Sequence, residues 1–64
     1  MKLNGQGFQL NKEISLLQFL QENKYDISKI AVELNGSIAP KCTYENIILQ
    51  ETDSLEVVSF VGGG

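Results

Sequence analysis

A chain of 64 residues is expected to form one domain, near the size at which folding buries only about 60% of the surface that the unfolded chain exposes, so there is little room for an enclosed active site. Lys and Arg number 5 against 8 Asp and Glu, a net charge of −3, which argues against electrostatic binding of nucleic acid and favours basic protein surfaces as partners. A lone cysteine, Cys42, excludes an intrachain disulfide, no charged-then-apolar leader opens the chain, and no apolar run nears the ~20 residues of a membrane span, so the expected setting is cytoplasmic and away from membranes.

In chain order, Met1-Lys2-Leu3-Asn4 and Phe8-Gln9-Leu10-Asn11 alternate in polarity around Gly5-Gln6-Gly7, which predicts two strands joined by a glycine-based hairpin turn. Ser15-Leu16-Leu17-Gln18 fits the capping box, with Ile14 and Phe19 at the positions of a hydrophobic staple, and predicts a helix whose apolar face is Leu16, Leu17, Phe19 and Leu20. With no glycine to stop it, this helix is expected to end between Asn23 and Asp26. Ile30 to Leu34 alternates with period two into Asn35-Gly36, the strongest two-residue hairpin signal, so Ser37-Ile38-Ala39 is expected to return antiparallel until Pro40 ends it. Tyr44-Glu45-Asn46 reads as a turn or short helical piece and Ile47-Ile48-Leu49 as a brief strand. Glu51 to Ser54 reads as the turn into a last strand, Leu55 to Val61. The principal elements run β-β-α-β-β-β, an α+β arrangement in which one helix covers one face of a four- or five-stranded sheet and leaves the other face open. The expected core is Ile14, Leu16 or Leu17, Leu20, Val32, Leu34, Leu55 and Val57.

The last strand feeds directly into Gly62-Gly63-Gly64. Glycine has no Cβ and loses more backbone entropy on ordering than any other residue, so the expected division is a folded unit over 1–61 and a flexible tail over 62–64. An arm of this kind enters a narrow cleft where any side chain would clash. A frayed end is the plain alternative.

A hairpin, a helix across it, a returning sheet and a final strand ending in Gly-Gly resemble the ubiquitin-like β-grasp fold. More closely, Leu3-Asn4-Gly5, Glu33-Leu34-Asn35-Gly36 with Ile38 and Pro40, and Phe60-Val61-Gly62-Gly63-Gly64 resemble the ThiS family, sulfur carriers of thiamine biosynthesis. The chain departs from that family's pattern at Leu34 and Lys41, where arginine is common, and at Thr52-Asp53-Ser54, which replaces a Gly-Asp turn. The resemblance implies a carrier rather than an enzyme. Gly64 would be adenylated by an ATP-consuming, E1-like enzyme of the ThiF type, then converted by a persulfide donor to a thiocarboxylate that gives sulfur to a thiazole synthase of the ThiG type. Gly62 and Gly63 would thread the partner's active site. The residues themselves agree in offering no histidine, no Cys/His cluster and no Ser/His/Asp set, and no cofactor or metal is expected on the carrier. Cys42 reads as a bystander, the dispersed carboxylates as solvated surface, and Tyr25 and Tyr44 as half-buried packing residues with wet hydroxyls.

Along the last strand, Leu55, Val57, Ser59 and Val61 share one face, and Glu56, Val58 and Phe60 share the other. In a ubiquitin-like fold the first set faces the helix, which leaves Val58 and Phe60 outward, beside Glu33, as a docking patch next to the tail. The competing reading has Phe60 covering the sheet edge. Two other functions stay open: the sulfur-carrying small subunit of molybdopterin synthase, which tends to be longer, and an interaction module of the same fold without sulfur transfer.

Overall fold

The computed structural model describes residues 1–60. Its sheet has five strands in the order β2-β1-β5-β3-β4, where β1 is Lys2–Leu3, β2 Gln6–Gly7, β3 Ile30–Leu34, β4 Ser37–Ile38 and β5 Ser54–Ser59. One helix, α1, spans Leu16–Glu22. Short 3₁₀ turns at Ile27–Lys29 and Lys41–Thr43 connect the elements. Strand β5 lies in the middle, parallel to β1 and antiparallel to β3. The expected element order and the mixed β-grasp sheet are therefore present.

Both hairpins turn on Asn-Gly. Asn4 and Gly5 have φ of 52° and 81°, and Asn35 and Gly36 have 54° and 86°, the paired positive values of a type I′ turn. The first hairpin thus corrects the expectation of a Gly5-Gln6-Gly7 turn followed by a strand over Phe8 to Asn11. The second strand begins at Gln6, and beyond Gly7 the chain leaves the sheet so that the Phe8 ring meets Phe19 edge-on at 5.2 Å. Asparagine does more in these turns than tolerate positive φ. The Asn4 Oδ1 accepts from the Val57 N–H at 2.8 Å, continuing β5's hydrogen bonding where β1 stops. The Asn35 side chain accepts from the Ser54 N–H and donates to Asp53, fastening the second hairpin to the start of β5.

Helix α1 begins as expected, with Ser15 Oγ accepting from the Gln18 N–H at 3.1 Å. The glutamine does not complete the box; its side chain donates along the helix to Glu22. The remaining free N–H groups of the first turn are satisfied from a distance, Leu16 donating to the Ile47 carbonyl and Leu17 to that of Tyr44. This docking explains the segment expected as a brief strand: Ile47 to Leu49 forms a single bridge, Ser15 to Ile48, against the entry to the helix rather than joining the sheet. At the other end Lys24 takes φ of 66°, with Lys24 N–H bonded to Gln21 O and Tyr25 N–H to Leu20 O. That is a Schellman ending without its usual glycine. Lys24→Gly is expected to raise stability by up to about 1.6 kcal/mol. It relieves roughly 1–2 kcal/mol of left-handed strain and adds roughly 0.4–1 kcal/mol of unfolded-state entropy, a balance that urea denaturation midpoints measure.

The core lies between α1 and one sheet face: Ile14, Leu16, Phe19, Leu20, Ile30, Val32, Ala39, Tyr44, Leu49, Leu55 and Val57. Of the two candidates on the helix, Leu16 is the fully buried one, and Leu17 and Leu34 are half-buried at the margin. Tyr25 is half-buried as expected, but the Tyr44 side chain is almost wholly buried: its carbonyl caps α1 and its ring belongs to the core cluster. Burial also pushes the Tyr44 hydroxyl above its ordinary pKa, so folding favours the neutral phenol.

Candidate functional site

Because side chains alternate along a strand, β5 sends Leu55 and Val57 into the core and Glu56 and Val58 to the face that α1 does not cover. The chain then reaches Phe60, whose N–H donates to the Lys29 carbonyl at 2.7 Å and holds it against the start of β3. Val58 is 59% exposed and Phe60 53%. Both therefore lie where alternation placed them, and Phe60 is shared between edge and solvent rather than buried.

The sheet adds neighbours that strand reading alone does not reveal. Antiparallel register sets Ala31 opposite Val58, Glu33 opposite Glu56, and Ile38 opposite Glu33. Ile38, 73% exposed, thus belongs to the same open face. Alternation along the strand agrees with this: Ala39 is buried, so its neighbour points the other way. Between Phe60, Ile38, Pro40, Lys41 and Tyr44 lies a shallow depression of about 270 Å³. Cys42 is exposed and free on the adjoining 3₁₀ turn. Among the described residues no group of three or more His, Cys, Asp or Glu is placed to hold a metal ion, and no helix is long and apolar enough to cross a membrane. Gly62, Gly63 and Gly64, the expected threading and reacting residues, lie outside the described residues, as does Val61.

One helix packed on a 2-1-5-3-4 mixed sheet, with its central last strand leading past an open apolar face, defines a ubiquitin-like β-grasp protein. The crystal structure of the thiamine biosynthesis protein ThiS from Geobacter metallireducens has the same fold, with a TM-score of 0.82 at 21% identity over 98% of this chain and 96% of that one. The ThiS family model matches residues 1–64, and the chain belongs to the ThiS family. Among its relatives is an uncharacterized protein, ycf40, of Pyropia yezoensis, 36% identical over all of this chain and 90% of that protein. A thiazole synthase of Paramagnetospirillum magneticum is also 36% identical, over 97% of this chain but only 19% of that longer protein.

Proposed function

We propose that the protein carries sulfur for thiazole formation in thiamine biosynthesis, on the carboxylate of Gly64. A carboxylate resists nucleophiles because its charge is delocalised, so it must first be activated. An ATP-dependent, E1-like enzyme supplies AMP, giving a mixed anhydride and pyrophosphate. The terminal sulfur of a persulfide then attacks the carbonyl and AMP leaves, and a thiol that cleaves the resulting acyl disulfide releases the thiocarboxylate. Thiazole synthase receives that sulfur. The carrier contributes a glycine arm narrow enough for a partner's slot and a face to dock by. Acid, base and ATP binding belong to the partners.

The observation that carries this reading is the family match along residues 1–64. The ThiS-like stretch within a longer thiazole synthase supports that enzyme as a partner, and favours this role over the small subunit of molybdopterin synthase. Intact mass of the protein purified from its host tests it. A fraction heavier by the exchange of one terminal oxygen for sulfur is expected. If the carboxylate stays unchanged even after incubation with ATP, the adenylating enzyme and a persulfide donor, the reading fails.

Docking through the open face has its own test. Phe60 is 53% exposed, so about half of the roughly 1.5–3 kcal/mol of a fully buried side chain is left for a partner to gain. Phe60→Ser is expected to weaken binding to both partner enzymes by about tenfold and to cost the fold about 1 kcal/mol. Titration calorimetry beside thermal melts separates the two effects. Affinity that falls only in proportion to unfolding would assign Phe60 to the core.

A further inference from the structure

We propose that the open sheet face receives an arginine of the partner protein, held between Glu33 and Glu56 and flanked by Ile38 and Val58; this rests on the carrier reading and names the chemistry of its docking partner. The register sets Glu33 directly opposite Glu56 in the β3–β5 pair, which puts their Cα atoms about 4.5–5.5 Å apart. Like charges so placed destabilise a sheet. Both side chains are exposed, and the ion pairs among the described residues engage Glu51, Glu22 and Asp26 instead. On the far side of β5, Lys2 stands on the same face but opposite Ser54, and it makes no ion pair with Glu56. Two carboxylates without an ion-pair partner among the described residues therefore stand side by side at the centre of the open face.

The surroundings select the occupant. Ile38 and Val58 border the two carboxylates with 73% and 59% of their surface exposed, and Phe60 continues the apolar strip. A guanidinium fits this arrangement better than an ammonium. It is planar, offers several N–H donors in a fixed fork able to reach two carboxylates at once, and sheds water more readily against apolar neighbours. A second copy of the chain fits poorly, because pairing two such faces would gather four carboxylates in one interface.

The test titrates the full 64-residue protein into the thiazole synthase and the adenylating enzyme of its own organism, at about 50 mM and about 300 mM NaCl, where screening differs strongly. Wild type is compared with the Glu33→Gln/Glu56→Gln double variant, and both are melted alone. With at least one of the enzymes, the double variant is expected to bind roughly 10- to 100-fold more weakly at low salt, the range for hydrogen bonds to charged groups, and to lose most of the salt dependence. Its melting temperature should hold or rise, because neither carboxylate has an ion pair among the described residues to lose. Affinity and stability thus move in opposite or unlinked directions, which a purely structural role would not produce. If wild type binds and the double variant binds within about twofold of it at both salts, the inference fails and the carrier reading stands. A melting temperature that falls with affinity, or a wild-type dimer by sedimentation at neutral pH, also overturns it. Absence of wild-type binding to both enzymes would remove the carrier reading and this inference together.

Discussion

Leu20→Ala is expected to cost about 2–5 kcal/mol, the range for emptying a leucine site in a packed core. Leu20 is fully buried, on the face of α1 that meets the sheet, within a single cluster that includes Ile30, Val32 and Leu55. A domain of 64 residues has roughly 3–10 kcal/mol of stability in all, at about 0.05–0.15 kcal/mol per residue. The variant is therefore expected to be substantially unfolded at 37 °C or close to it. Leu17→Ala is the control: its side chain is half-buried at the margin of the same helix, so the loss should be clearly smaller. Urea midpoints at constant m-value measure both. Equal costs at the two positions, or none at Leu20, would mean that the helix buries a different face.

Local signals and long-range ones differ sharply in how far they could be read from the residues. Asn35-Gly36 announced its hairpin because a type I′ turn requires two successive positive φ values and few dipeptides accept them. Asn4-Gly5 carries the same signal, but the two glycines flanking Gln6 drew the turn one residue too far. Gly7 has no positive φ and belongs to β2. The start of α1 was legible in Ser15 and its stop falls at Asn23, within the expected range, but the left-handed Lys24 that closes it was not foreseen, because sequence rules reserve that conformation for glycine. Ile47 to Leu49 and Tyr44 went astray for one shared reason. Their partners are the first N–H groups of a helix more than 25 residues away in sequence, and no local pattern records that. On the candidate face, alternation along β5 was enough to turn Val58 and Phe60 outward. Alternation turns Glu56 outward as well, whereas which residues of β3 and β4 stand beside it follows from inter-strand register, which a single chain segment does not contain.

Extending the chain by one residue beyond Gly64 is expected to abolish activation without touching the fold. If the carboxylate of Gly64 is the group presented to ATP, an added residue carries the new carboxylate past the catalytic groups by roughly 3.3–3.6 Å. Displacement of a reacting atom by even ~1 Å can cost about 100-fold in rate. On the proposed reading Gly62 and Gly63 would matter for the same reason, because any side chain would widen an arm that has to enter a partner's slot. Thermal melts of the extended and native forms are expected to coincide, since the core and all five strands lie within the described residues before the tail.

Pyrophosphate release in the presence of ATP and the adenylating enzyme tests the carrier role most directly, because it reports formation of the acyl adenylate itself. Native protein is expected to release about one equivalent per chain when sulfur transfer is withheld, and the extended form a rate at least about 100-fold lower. Equal release from both forms would show that Gly64 is not the activated group and would contradict the sulfur-carrier assignment.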